Sequence, residues 1–283
     1  MKGTIETGAV PVPGGSLYYE RQGHGVPVVL VHSGFLDRRM WDPQFASYSE
    51  RFTVVRYDIR GHGNSSKPGT PYVDADDLRA VLDHLGLAEA FVLGDSNGAR
   101  IAAGLAAGAP ERVRGLVMVG GTPSDLDPSP EEESRFMDTF DDRDGKILEL
   151  ASAGRVDDSL DAMLEAWAPA VSPATREYLR TIARENFDQM VAATLGKLPN
   201  RKPPFPVAER LRHGPVPMLL ICGAEDHPAL AMMMGRFAHQ LPHAKYVELP
   251  GADHTANLSA TEPFDRLVLD FFDATPSRNP APV

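Results

Sequence analysis

The chain has 283 residues, 28 Lys and Arg against 39 Asp and Glu for a formal net charge of −11, 42% apolar residues and one cysteine. A lone Cys222 cannot close an internal disulfide, and no Cys/His cluster has zinc-ligand spacing, so the fold must hold through its own core and no metal is implied. The negative balance argues against nucleic acid or anionic membrane as a partner, because either needs a basic face to displace counterions. The first ten residues carry no apolar run of signal-peptide length, and no stretch approaches the ~18 apolar residues that span a bilayer. A reducing, cytoplasmic location is the expectation.

Residues 17–20 and 26–31 are β-rich and flank the turn Gly23-His24-Gly25, which predicts two strands joined as a hairpin. Further strands are expected at 52–57 and 90–93. The runs 115–119 and 217–221 are uninterruptedly apolar, the form taken by parallel strands buried on both faces, and 245–249 adds the last. Between them, Leu78, Val81, Leu82 and Leu85 form one helical stripe with Gly86 at the C-terminal cap position. Residues 99–109 are rich in Ala and Gly nearly all round, as suits a helix wedged against a sheet. Strands alternating with helices predict an α/β fold, a doubly wound and mostly parallel sheet.

The alternation lapses at 123–213, which we read as an inserted helical cap between core segments 1–122 and 214–273. Helical patterns occur there near 131–140, 156–167 and 173–195. Between Asp125 and Glu165 lie 14 acidic residues and 4 basic ones, so this segment carries nearly all of the net charge, on what are expected to be solvated helix faces. The proline-rich tail 274–283 is expected to be disordered.

The strand at 90–93 runs into Gly94-Asp95-Ser96-Asn97-Gly98 and then directly into a helix, the G-x-S-x-G pattern in its strand–turn–helix context. So sharp a turn projects the Ser96 hydroxyl only if its backbone is strained and the residues two before and two after are small. A serine hydroxyl needs a base, and the base an orienting acid. Asp226 follows the strand at 217–221 and His254 follows the next, both on loops at strand C-terminal ends, where open α/β sheets carry their sites. The order Ser, Asp, His fits the elbow. Asp125 or Asp127, after the strand at 115–119, is the competing source of the acid.

These residues, together with Val31-His32-Ser33-Gly34, the stretch 56–65 and the stretch 251–257, make the chain resemble the α/β-hydrolase superfamily over nearly its whole length outside the insertion and tail. The resemblance implies Ser96 as nucleophile, His254 as base, Asp226 as its orienter, and the backbone N–H groups of Gly34 and Asn97 as an oxyanion hole, with no cofactor. Ser33 and Met40-Trp41-Asp42-Pro43-Gln44 look most like the 3-oxoadipate enol-lactonase branch.

A serine hydrolase acting on a small-molecule ester or lactone is therefore the expectation, the substrate being neutral and moderately apolar because the acidic insertion disfavours a dianion. The same scaffold could serve carbon–carbon bond hydrolysis, perhydrolysis or a rearrangement, or, in another class, ligand capture without catalysis. Trp41, Phe136, Phe140, Trp167 and Phe187 are candidate substrate contacts. Asp95 is either solvated or bonded to nearby backbone, or its charge raises the pKa of His254. His32 is expected to hold the oxyanion loop by hydrogen bonds and His62 to be a turn residue, while Glu225 and Asp253 read as solvated loop carboxylates. Cys222, ending a buried strand, reads as an inert small hydrophobe.

Overall fold

A computed structural model describes residues 3–127, 129–131, 134 and 145–276. Eight strands form one sheet: β1 (Glu6–Val12), β2 (Gly15–Gly23), β3 (Pro27–Val31), β4 (Thr53–Tyr57), β5 (Ala90–Asp95), β6 (Val113–Val119), β7 (Met218–Gly223) and β8 (Ala244–Leu249). Their order is β1-β2-β4-β3-β5-β6-β7-β8, parallel from β4 to β8 and antiparallel where β2 meets β1 and β4. The helices include α1 (Asp42–Tyr48), α2 (Asp74–His84), α3 (Asn97–Gly108), α4 (Val156–Trp167), α5 (Pro173–Glu185), α6 (Phe187–Thr194), α7 (Val207–His213), α8 (Pro228–His239), α9 (Ala256–Ser259) and α10 (Thr261–Ala274), and residues 145–152 are also helical. None of the described helices is long and apolar enough to cross a membrane.

The expected hairpin is corrected. β2 pairs with β1, not with β3, and β4 lies between β2 and β3. The reason lies in the composition of β3: residues 28–31 are all fully buried, with Val29 and Val31 packing on one face and Val28 and Leu30 on the other. Such a strand belongs in the parallel interior, and β2 instead meets the edge strand β1.

One apolar layer gathers α2, α3 and α8 with Val207, Ala208 and Leu211 of α7. The α7 segment, read from sequence as the end of the insertion, therefore packs with the core. Asp125 caps it, its Oδ1 accepting the Ala208 N–H at 3.0 Å. The other layer joins α1 and α10 to Leu160, Met163 and Leu164 of α4 and to Leu179 and Ile182 of α5. The predicted helix over 173–195 is broken at Asn186, which is 3% exposed. At the chain's end, Ala274 completes α10 and the carbonyl of the buried Thr275 accepts from Arg114 at 3.1 Å, so the expected tail begins too early; residues 277–283 lie outside the described ones.

The acidic excess is partly neutralised where it is described. Asp157 and Asp161 on α4 pair with Arg180, and Arg184 also meets Asp157. These exposed pairs add little stability each, but they reduce the field of the insertion.

Trp41 is fully buried in the second layer, its ring centroid 6.4 Å from that of Phe264. Trp41→Ala should lower stability by about 3–5 kcal/mol, read from the midpoint of chemical unfolding. An unchanged midpoint would contradict its place in the core.

Candidate active site

The C-terminal ends of β3, β5, β6 and β7 converge on one cavity of about 440 Å³, whose wall includes Gly34, Ser96, Asn97, Gly120, Trp167 and His254. Ser96 has φ 52° and ψ −111°, the one positive φ outside glycine among the described residues. That conformation costs about 1–3 kcal/mol and persists because the surroundings fix it. The Ser96 N–H donates to the Val119 carbonyl at 2.7 Å. A β-carbon on Gly94 would lie 2.2 Å from the Gly98 carbonyl oxygen, and one on Gly98 would lie 2.2 Å from that of Val31. Both flanking positions thus require glycine for lack of space.

His254 Nδ1 donates to Asp226 Oδ2 at 2.9 Å, with both side chains nearly sealed from solvent. Asp226 Oδ1 accepts the His227 N–H at 2.6 Å. This bond places the imidazole proton on Nδ1 in the neutral ring and leaves Nε2 as the basic nitrogen. Close approach at this point depends on Gly120, since a β-carbon there would stand 3.0 Å from His254 Nδ1 and 3.3 Å from Asp226 Oδ2. The Trp167 ring lies against the imidazole, 4.7 Å between centroids.

Gly34 and Asn97 meet closely: a β-carbon on Gly34 would be 3.4 Å from the Asn97 β-carbon. The Ser33 carbonyl receives His32 Nδ1–H at 2.7 Å, while His32 Nε2 accepts the Ile59 N–H at 2.8 Å. Burial and the neighbouring His62 push His32 down to about 3, consistent with that neutral, doubly bonded ring. Because carbonyl and N–H point oppositely across a trans peptide, holding the Ser33 carbonyl directs the Gly34 N–H the other way. His62 is more than a turn residue, for its Nε2 lies 3.0 Å from the Gly34 carbonyl oxygen, to which it donates.

Three carboxylates act on His254: Asp226, Asp95 and Asp253. The neighbouring Glu225 is exposed, as expected, but Asp253 is not: at 1% exposure its Oδ1 accepts from the Thr255 N–H and hydroxyl, and its Oδ2 from the Ala170 N–H at 2.8 Å. Asp95 departs from the solvated reading more sharply. It is fully buried, and neither carboxylate oxygen has a hydrogen-bond partner. Burial pushes its pKa up to about 8, with the Asp226 and Asp253 charges adding to the rise and His254 opposing it. For His254, burial works downward, yet Asp226, then Asp95 and Asp253, outweigh it and lift the ring to about 9.

Of the expected substrate contacts, Trp167 lies on the cavity wall. Trp41 and Phe187 do not; both are core residues, because aromatic bulk in the sequence does not reveal which helix face turns inward. Phe136 and Phe140 lie outside the described residues. Sequence reasoning missed Ile147, Tyr72, Asp74, Asn200 and His227, all on the wall. Tyr72 and Asn200 come together through a two-residue β-bridge that sequence spacing does not signal.

Residues 26–261 match the family model described as alpha/beta hydrolase fold. The chain belongs to the α/β-hydrolase family. Within it, the chain is 26% identical over 270 residues to 2-(acetamidomethylene)succinate hydrolase of Mesorhizobium japonicum, with 92% of each chain covered. Zearalenone hydrolase of Cladophialophora bantiana is 34% identical over 173 residues, 58% of this chain and 61% of that one. Among solved structures, the enol-lactonase of Burkholderia xenovorans superposes with a TM-score of 0.76 at 26% identity, covering 94% of this chain and 100% of that one. As an α/β-hydrolase with relatives such as these hydrolases, the protein is an enzyme.

Both buried groups with raised pKa bind a proton more tightly folded than unfolded. The stability this gives is complete below the unfolded pKa, near 4 for Asp95, and is lost as pH climbs through the folded value. Asp95→Asn should therefore stabilise the protein by an amount that grows from about pH 4 to pH 8. In the same variant the His254 imidazole resonance should titrate at lower pH than in the parent. Coincident titration curves would show that Asp95 does not act on His254.

Proposed function

We propose that the protein is a serine hydrolase that cleaves a carboxylic ester or lactone through an acyl-enzyme on Ser96. The observation that carries this reading is the strained Ser96 on the wall of a cavity shared with His254, whose Nδ1 is bonded to a buried Asp226. His254 Nε2 takes the hydroxyl proton as Ser96 Oγ attacks the carbonyl carbon, and the N–H groups of Gly34 and Asn97 hold the tetrahedral oxyanion. His254 then protonates the leaving alkoxide. Water deprotonated by His254 attacks the acyl group, and the proton returns to Ser96 Oγ as it departs. Asp226 steadies the imidazolium formed twice in the cycle.

The substrate we infer is neutral and moderately apolar. Phe35, Ile147, Met163, Trp167 and Leu230 give the cavity its apolar wall. Among the described lining residues Arg60 is the one arginine or lysine, and its guanidinium is held by both oxygens of Asp77 at 2.8 and 2.6 Å. A substrate carboxylate would have to break that buried pair or lie unpaired near Asp74. This separates the expected preference from that of the succinate hydrolase relative, whose named substrate is a dicarboxylate.

Ser96→Ala and His254→Ala should each lower kcat on p-nitrophenyl butyrate by roughly four to six orders of magnitude, with fluorophosphonate labelling lost in Ser96→Ala. Turnover surviving in Ser96→Ala would refute the serine mechanism. The parent should also favour p-nitrophenyl butyrate over mono-p-nitrophenyl succinate in kcat/KM by at least about tenfold, a lower bound set well below the cost of breaking a buried ion pair outright. An equal or reversed preference would point to an anion site.

A further inference from the structure

The break between α5 and α6 falls on Asn186, a buried polar residue whose side chain leaves its own helix for the core. Its Nδ2 donates to Asp37 Oδ2 at 3.0 Å and to the Ile182 carbonyl at 2.8 Å, and its Oδ1 accepts the Gly63 N–H at 2.8 Å. Asp37 lies three residues after Gly34, and Gly63 directly follows His62, which holds the Gly34 carbonyl at 3.0 Å. One amide from the insertion thus joins the two loops that orient the Gly34 peptide.

The two oxyanion residues differ in their support. Asn97 opens α3, and its side-chain Oδ1 is held from within the core by Arg100, which is in turn paired with Asp74. Gly34 instead sits in a loop held at a distance. Beyond His32 and His62, two fully buried carboxylates fix its far end: Asp58 of the core, which accepts the Arg38 N–H at 3.0 Å and the Asn64 N–H at 2.8 Å, and Asp37, which is bonded to Arg39 and is the one that Asn186 of the insertion reaches.

We propose that Asn186 is a positioning residue for the oxyanion hole: seated between Asp37 and Gly63, it makes the orientation of the Gly34 N–H depend on the insertion being docked. The inference rests on the serine-hydrolase reading above. A donor displaced by a fraction of an ångström loses stabilisation in the transition state while leaving ground-state binding intact. The insertion then supplies a condition for turnover as well as a wall of the cavity.

The test is steady-state hydrolysis of p-nitrophenyl butyrate by the full chain. Asn186→Ala should lower kcat and kcat/KM together by about ten- to hundredfold, somewhat less than outright loss of an oxyanion donor, with KM nearly unchanged. Asn186→Ala should stay folded at the assay temperature, read from its chemical-unfolding midpoint and its fluorophosphonate labelling of Ser96, so that the loss of kcat reports the oxyanion hole and not the fold. Tyr178→Phe removes a different docking contact, the Tyr178 hydroxyl on Asp42, and should leave kcat as in the parent. Parent-like kcat in Asn186→Ala, a rise in KM alone, or an equal loss in Tyr178→Phe would each overturn the proposal. Ester turnover that persists in Ser96→Ala would instead remove the serine mechanism, and this inference with it.

Discussion

Between β5 and α3 the chain reverses direction in a single residue, and there is no room for a β-carbon on either side of it. Gly98 rests on the Val31 carbonyl of β3, Gly94 on the Gly98 carbonyl, and Ser96 is tied to β6 through Val119. This three-strand contact holds Ser96 in its positive φ, and only a sheet with parallel neighbours on both sides of β5 can supply it. The backbone strain at Ser96 is thus balanced by packing spread over the most deeply buried part of the sheet. The same convergence brings Gly34, Gly120 and the loop carrying Asp226 to one edge of the sheet, so the placement of Ser96 is inherited from the interior.

The electrostatics around His254 are divided among three carboxylates in three different states of bonding. Asp226 accepts from the imidazole, Asp253 is satisfied by Thr255 and Ala170, and Asp95 has no partner. Desolvation alone would keep the imidazole neutral, yet the surrounding acids reverse that preference. An imidazole so strongly disposed to hold a proton would stabilise the charged form that the proposed acyl transfer requires, at the expense of its readiness as a base near neutrality. Asp95, protonated over the same pH range, moderates this balance because its own charge appears only as the pH approaches 8.

Much of this was legible in the chain because it is local. The elbow is five consecutive residues, the buried strands are continuous apolar runs, and the order Ser96, Asp226, His254 follows from which strand ends carry acids and bases. The helix over Val156–Trp167 could also be read from its pattern. What escaped depends on contacts far apart in sequence. The pairing of β2 with β1, the membership of α7 in the core, and the burial of Trp41, Phe187, Asp253 and Asp95 are decided by which faces meet, and no spacing rule encodes that. Asn186 is the clearest instance: a helical pattern runs through it unchanged, while its side-chain partners Asp37 and Gly63 lie 149 and 123 residues away.

Cys222 closes β7 beneath this site, its Sγ 4.0 Å from Asp226 Oδ2. Burial pushes its thiol far above the ordinary range, and the Asp226 charge pushes it further. A sulfur that stays protonated and enclosed is a poor target for alkylating reagents and peroxide, since both react with the thiolate. The lone cysteine therefore sits next to Asp226 as a buried neutral thiol, closed to disulfide cross-linking between molecules.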